Sequence, residues 1–277
     1  MFPFLGHGVG LRPPHYAAAL DGETLDVGWF EVISENFFVA GGNPRRVLRQ
    51  ARERAPVVLH GVSLSLGSTD PLDDSYLRKL RALVDEVEPA MVSDHLCWSS
   101  LGGHYAHDLL PLPFTEEALR HCVSRLGEVQ ERLGRRVLVE NLSSYVAFSG
   151  SEMTEWEFLA ALAERADCGL LVDVNNVFVS AHNHGFDAHT FLAGLPARRV
   201  GQIHLAGHSE DGPLLLDTHD HPVRDEVWAL YHEAVRRFGP VSTNIERDDD
   251  LPPWQELVAE VRHAAAIHDA ALAEQKP

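Results

Sequence analysis

Residues 169–175 read GLLVDVN, a short apolar run rich in β-branched and aliphatic side chains that stops at an acid and an amide. A run this brief and this continuously apolar is what a strand buried on both faces looks like. Seven more segments of the same make recur along the chain, at 5–11 (LGHGVGL), 29–35 (WFEVISE), 57–63 (VVLHGVS), 91–97 (MVSDHLC), 136–142 (RVLVENL), 200–206 (VGQIHLA) and 240–246 (PVSTNIE). Longer stretches with helical spacing lie between them. Leu77, Leu80, Leu83, Val84 and Val87 form one stripe over 74–88, and Thr115 with Glu117 opens a helix over 115–133. Further helices are expected near 44–54, 154–166, 187–194, 224–238 and 253–273. Alternating strands and helices predict a parallel sheet, and eight strands close it into a (β/α)8 TIM barrel of class α/β, a single domain over 1–277.

The composition is that of an ordinary globular chain, with 45% hydrophobic and 23% charged residues. Lys and Arg total 23 against 41 Asp and Glu, a formal charge of −18, which repels phosphate backbones and anionic lipid. Neither nucleic acid nor membrane is therefore an expected partner. Cys97, Cys122 and Cys168 lack metal or redox spacing, and the N-terminus has no signal-peptide pattern, so the expected location is the cytoplasm. Histidine is abundant, at 17 residues, and it is the commonest metal ligand.

Catalytic groups of such barrels come from the C-terminal ends of several strands. Here His60, Asp94 with His95, Glu140 with Asn141, Asp173 with Asn176, His204 and Glu246 close successive apolar runs, and LLLDTHDHPV adds Asp217 and His219. Any one of these could be a hydrogen-bonded loop residue or half of an ion pair. Together they converge on one mouth. Like charges 4 Å apart repel by about 4 kcal/mol at an effective dielectric near 20, so a cluster of four carboxylates calls for a polyvalent cation. The mixed nitrogen and oxygen donors suit iron, manganese or zinc better than calcium. Loops at 98–113, 180–187 and 206–223 are expected to surround the mouth. His182 and His184 could extend the metal site, contact substrate or lie in a solvated loop; His104, His107 and Asp108 could line the mouth but read first as a turn, Cys97 reads as core, and Trp98 as the tryptophan nearest the mouth.

The runs GVGLRPPHY, FEVISENFF, LHGVSLSLG, SDHLCW, LPLPFTEEAL, VLVENLSSY, GLLVDVNNVFVSAHNHGFD, IHLAGH, LLLDTHDHPV and NIERD resemble, in order from about residue 5 to 262, the multinuclear non-haem iron-dependent oxidases of the methanobactin-oxidase-like family. The branch it resembles most is the one associated with copper-stress peptide operons. The resemblance implies a xylose-isomerase-like barrel binding two or three irons, mixed-valent Fe2+ and Fe3+, with dioxygen as cosubstrate. Carried over motif by motif, it implies His60, His95 and Glu140 as ligands of one iron, with Asp173, His204 and Glu246 for a second. Asp217, His219 and Asn176 would make a third, weaker site. His60, His95, Glu140, Asp173, His204 and Glu246 are the catalytic set it implies.

It further implies a cysteine-containing, ribosomally made precursor peptide as substrate, oxidised to products such as a thiooxazole or an oxazolone with thioamide. A small partner protein that recognises the leader is also implied. Two other classes fit the residues alone: a divalent-metal sugar isomerase or phosphodiesterase-type hydrolase on the same fold, and a non-catalytic metal-binding protein.

Overall fold

The computed structural model describes residues 2–21 and 25–275; positions 1, 22–24 and 276–277 of the expected domain lie outside it. Eight parallel strands close a barrel: β1 (His7–Gly10), β2 (Trp29–Ile33), β3 (Val57–Gly61), β4 (Val92–His95), β5 (Leu138–Glu140), β6 (Gly169–Asp173), β7 (Val200–Leu205) and β8 (Ser242–Ile245). Each pairs with its sequence neighbour, and β8 closes on β1. The architecture is the expected TIM barrel, with each strand shorter than the run that announced it.

The helices are α1 (Tyr16–Asp21), α2 (Asn43–Arg54), α3 (Asp74–Val87), α4 (Glu116–Leu133), α5 (Glu155–Arg165), α6 (Val174–His184), α7 (Ala188–Gly194), α8 (Asp225–Phe238) and α9 (Trp254–Ala273). Side-chain caps start several of them. Asp73 accepts from the Ser75 and Tyr76 N–H groups, Thr115 from Ala118, and Thr154 forms a reciprocal box with Glu157. The Leu77, Leu80, Leu83, Val84 and Val87 stripe of α3 is wholly buried in the main core between helices and barrel. Among the described residues no helix is long and apolar enough to cross a membrane.

Alternation along the strands sorts the barrel interior into layers. Trp29, Val58, Met91, Leu138 and Leu171 form an apolar plug at the lower end. Two residues further along the same strands stand Glu31, His60, Ser93, Glu140 and Asp173, so one pleat, about 7 Å, separates the plug from a polar layer. Gly8 in β1 makes room for the plug, because a Cβ there would lie 2.5 Å from the Trp29 ring.

Three expectations need correction. Residues 98–113 and 206–223 are not plain loops; they carry antiparallel hairpins, Trp98–Leu101 with His104–Leu110 and Ser209–Asp211 with Leu214–Leu216. Residues 180–184 belong to α6, not to a loop. That helix begins directly after β6 because the Asp173 side chain accepts from the Asn176 N–H, and it ends at Gly185 with φ +72°.

Candidate metal centre

His60 and His95 end adjacent strands and point their Nε2 atoms at one oxygen, Glu140 Oε2, at 3.4 and 3.2 Å. The Nδ1 of His95 lies 3.1 Å from the Gly61 carbonyl oxygen, which can only accept, so that nitrogen carries the proton and Nε2 presents a lone pair. His60 Nδ1 is paired with Ser93 Oγ at 2.8 Å. Burial holds His60 well below the usual imidazole range and lowers His95 too, which keeps both rings neutral. Glu140 Oε2 has no hydrogen-bond partner. The His95 Nε2 lone pair facing this buried carboxylate oxygen at 3.2 Å is repelled by it unless a cation sits between them.

His204 repeats the pattern one strand pair away. Its Nε2 is 3.0 Å from Glu31 Oε1 and hydrogen-bonds Glu31. Glu31 is itself fixed by the Asn244 amide at 2.8 Å and by Gln202. His204 Nδ1 lies 2.8 Å from Glu246 Oε2 and 3.4 Å from Glu140 Oε1 yet makes no hydrogen bond. A short approach off the hydrogen-bonding line is how two ligands of one ion sit. A carboxylate behind the other ring nitrogen is the usual means of orienting a metal-binding histidine. Burial alone would depress His204, but Glu31, Glu246 and Glu140 outweigh it and raise its pKa well above the ordinary value. The same negative field favours any cation placed there.

At the outer side, Asp173 uses Oδ1 for the α6 cap at 2.7 Å and leaves Oδ2 without a partner. Asn176 Oδ1 is likewise buried and unpartnered, while its amide donates to the Asn141 carbonyl. His219 Nε2 stands 2.7 Å from Asp217 Oδ1 and 3.7 Å from Asp173 Oδ2, again with no hydrogen bond. Asp217 is held by the Asn175 amide at 2.8 Å and the Ser143 hydroxyl at 3.0 Å. Glu246 Oε2 reaches His219 Nδ1 at 3.5 Å, and its Oε1 accepts from Arg12, which also binds Asp248 at 2.7 Å. Burial lifts Asp173 well above the carboxylate range against the pull of His219, and lifts Glu140 to about 7 against that of His204. For Glu246 the two histidines outweigh burial and lower it.

Among the described residues, four triads hold ligand atoms close enough for a common ion: His60, His95 and Glu140; Glu31, His204 and Glu246; Glu140, Asp173 and His204; Asp173, His219 and Glu246. Shared Glu140, His204, Asp173 and Glu246 link them into one chain of sites. The expected ligands are thus gathered, with Asp217 and Asn176 flanking, but Asp173 and Glu246 divide between neighbours differently from the expected grouping. In the second triad we assign Glu31 the supporting role, because its hydrogen bond occupies His204 Nε2 and leaves Nδ1 for the ion.

The other singled-out residues, Asp108 excepted, lie elsewhere. Asp94 turns away, accepting from the Leu64 and His95 N–H groups and from Tyr76. Asn141 braces Asp173 through both backbone groups, at 2.9 and 3.0 Å. His182 and His184 pin the end of α6 to the Pro213 carbonyl and to Ser144. His104 and His107 are exposed on the first hairpin, Asp108 lines the mouth, and Cys97 is buried core. Trp98 opens that hairpin and donates to the Pro111 carbonyl at 2.8 Å. Glu31, Arg12 and Asp248 were missed by sequence reasoning; an acid inside the apolar run WFEVISE was the available signal for Glu31.

His60, His95, Asn176, Asp217, His219 and Glu246 line a cavity of about 390 Å³. Ile33, Val62, Leu109, Leu142 and Val146 add apolar lining beside the imidazoles and carboxylates, and among the described residues no Lys or Arg lines it. The donor set of imidazole nitrogens and carboxylate oxygens, without thiolate, fits iron, manganese or zinc.

Comparison with known proteins places this geometry in context. Residues 6–269 match the model of a family described as RiPP precursor modification enzyme MbnB/TglH/ChrH. A UPF0276 protein of Anaeromyxobacter sp. (strain Fw109-5) is 63% identical over 269 residues, covering 97% of this chain and 95% of the relative. Endonuclease IV from Thermus thermophilus superposes with a TM-score of 0.62 at 17% identity, covering 97% of this chain and 99% of the other. D-psicose 3-epimerase from Clostridium cellulolyticum does so with 0.59 at 11%, covering 97% of each. At these identities the two structures establish the fold alone, the xylose-isomerase-like form of the TIM barrel.

Proposed function

The chain belongs to the MbnB/TglH/ChrH family of RiPP precursor modification enzymes, and from that premise we propose that it is a multinuclear non-haem iron, dioxygen-dependent oxidase acting on a cysteine of a ribosomally made precursor peptide. The observation that carries this reading is the set of buried, unpartnered ligand atoms on Glu140, Asp173, Asn176, His204 and His219, all but Asn176 belonging to the linked triads. Burying so many polar atoms without partners is costly, and polyvalent ions remove the cost.

His60, His95 and Glu140 would hold one iron, and His204 with Glu246, Glu140 and Asp173 a second; Asp173, His219 and Glu246, flanked by Asp217 and Asn176, would hold a third. When bound, iron supplies one-electron redox chemistry toward dioxygen and a site for the substrate thiolate. The chain does the rest. Glu31 fixes the His204 ring, Asn141 fixes Asp173, and Ser143 with Asn175 fixes Asp217. Ile33, Val62 and Leu142 give the cavity apolar surface beside the reacting residue, and the Ser143 and Tyr145 hydroxyls, both bonded to Asp217, line the same space. A cavity without Lys or Arg bears against a phosphodiester substrate.

The same reading includes a small leader-recognising partner protein and a cytoplasmic location, which suits three free, buried cysteines. The test is co-expression with any short cysteine-containing peptide found encoded beside the gene, followed by mass spectrometry. Oxygen-dependent mass change at a cysteine is expected. Turnover that persists in a His95→Ala, Glu140→Ala double variant would refute the proposal.

A further inference from the structure

A second depression of about 360 Å³ opens beside the metal cavity, between residues 111–114, the loop 144–151 and the start of α5. Pro111 and Val146 line both spaces, so they are neighbours across a shared wall. We propose that this groove holds a bulky apolar side chain of the substrate peptide, close in sequence to the residue that reacts; the inference rests on the peptide-oxidase reading above.

The groove's own chemistry selects that occupant. Phe114, Ala147, Phe148, Trp156 and Phe186 supply its surface, and among the described residues no Lys or Arg lines it. The aromatic floor is rigid, since Phe114 packs on the fully buried Phe158 at 5.3 Å and Trp156 on Phe186 at 5.5 Å. Polar groups at the rim are already engaged. Glu155 accepts from the Leu142 N–H, and His184 Nε2 is bound to Ser144.

The loop beside it exposes three large apolar side chains in four positions, Tyr145 at 46%, Val146 at 58% and Phe148 at 41%. Isolated exposed apolar residues need no explanation, but a cluster bordering a functional cavity does. The loop is also tied down: the Ser144 N–H donates to Ser180 Oγ, the Asp217 N–H to the Tyr145 hydroxyl, and the Ser151 N–H to the Phe148 carbonyl. The backbone at both ends of the loop and the Tyr145 hydroxyl are therefore fixed in advance of binding, which lowers the entropic cost of capturing a ligand. A small molecule would be complete within the first cavity. An extended peptide whose reacting residue occupies that cavity has a neighbour to place in the second, because successive side chains of an extended chain project to alternate sides.

The experiment uses the full chain loaded with iron under anaerobic conditions and fluorescein-labelled synthetic peptides read by anisotropy. Each peptide carries one cysteine in a Gly/Ser background, with a phenylalanine moved through successive positions on either side. At one spacing the phenylalanine is expected to tighten binding about ten-fold, and Phe148→Ala and, separately, Ala147→Arg to remove that gain while circular dichroism and iron content stay at wild-type levels. No gain at any spacing, or a gain that survives both variants, overturns the inference. Parallel peptides with serine for cysteine separate it from the reading beneath it. Cysteine-dependent binding without a phenylalanine effect removes the groove alone, whereas a phenylalanine effect without any dependence on cysteine removes the oxidase reading and leaves the groove. If light scattering finds a dimer that Phe148→Ala abolishes, the groove belongs to a second copy and the inference falls.

Discussion

Glu31 and His204, 173 residues apart in sequence, meet inside the barrel with Glu31 Oε1 3.0 Å from His204 Nε2. The contact leaves His204 Nδ1 bare toward Glu246 and Glu140. If Glu31 acts by orienting that ring, Glu31→Gln lowers iron affinity by about 10–100-fold without loss of fold. Competition with a calibrated chelator measures this, with circular dichroism as control. An unchanged affinity would reduce Glu31 to a structural residue.

Asn141 accepts from the Asp173 N–H and donates to the Asp173 carbonyl, both fully buried. Asn141→Leu strands two backbone groups, so a loss of roughly 2–6 kcal/mol is expected, at about 1–3 kcal/mol per unsatisfied group. Denaturant unfolding of metal-free protein reads it. A change below about 0.5 kcal/mol would mean that other groups or water take over.

Gly207 accepts the His219 N–H at 3.1 Å, and a Cβ on it would stand 2.2 Å from the His221 carbonyl oxygen and 2.5 Å from that of Pro222. Neither backbone oxygen can swing away. Gly207→Ala should displace the His219 loop, costing about 1–3 kcal/mol and lowering metal content. Wild-type stability and metal content together would show that the loop gives way without consequence.

His7 lies at the opposite end of the barrel, edge-on to His268 at 5.1 Å and paired with the Tyr231 hydroxyl. Burial, with the charge of His268 adding, lowers its pKa from 6.5 to about 4. Because the folded state holds the ring neutral while the unfolded chain protonates it, stability from this group is complete above pH 6.5 and falls as pH drops toward 4, by at most about 3 kcal/mol. His7→Gln should flatten that part of the stability–pH curve. Curves that remain parallel between pH 7 and 4 would deny the linkage.

Most of the mouth was legible because each ligand-type residue closes an apolar run, as His60, Glu140 and His204 do, and barrel closure makes strand ends neighbours wherever they fall in sequence. Glu31 was not, since it sits mid-run and its reason for burial lies on β7 and β8. The helix after Asp173 was hidden for a local reason: VNNVFV is β-branched and amide-rich, poor helix material, and it folds helically because Asp173 caps it and the barrel buries Val174 and Val177. The hairpins were hidden too, for Ser209–Asp211 and Leu214–Leu216 are only three residues each and His104–Leu110 mixes polar and apolar positions without strict alternation, with turns at Gly102–Gly103 and Gly212 at positive φ.

Metal stoichiometry bears most directly on the central claim, that Glu140, Asp173, His204, His219 and Glu246 crowd together around polyvalent ions. Purified chain should be loaded anaerobically with ferrous iron and, in parallel, with manganese and zinc, desalted, and analysed by plasma mass spectrometry beside Glu140→Ala. The expected result is more than one tightly held ion per wild-type chain and a clear loss in the variant, because Glu140 belongs to two of the triads. Wild-type protein that is folded yet retains no ion under any of these conditions would contradict it.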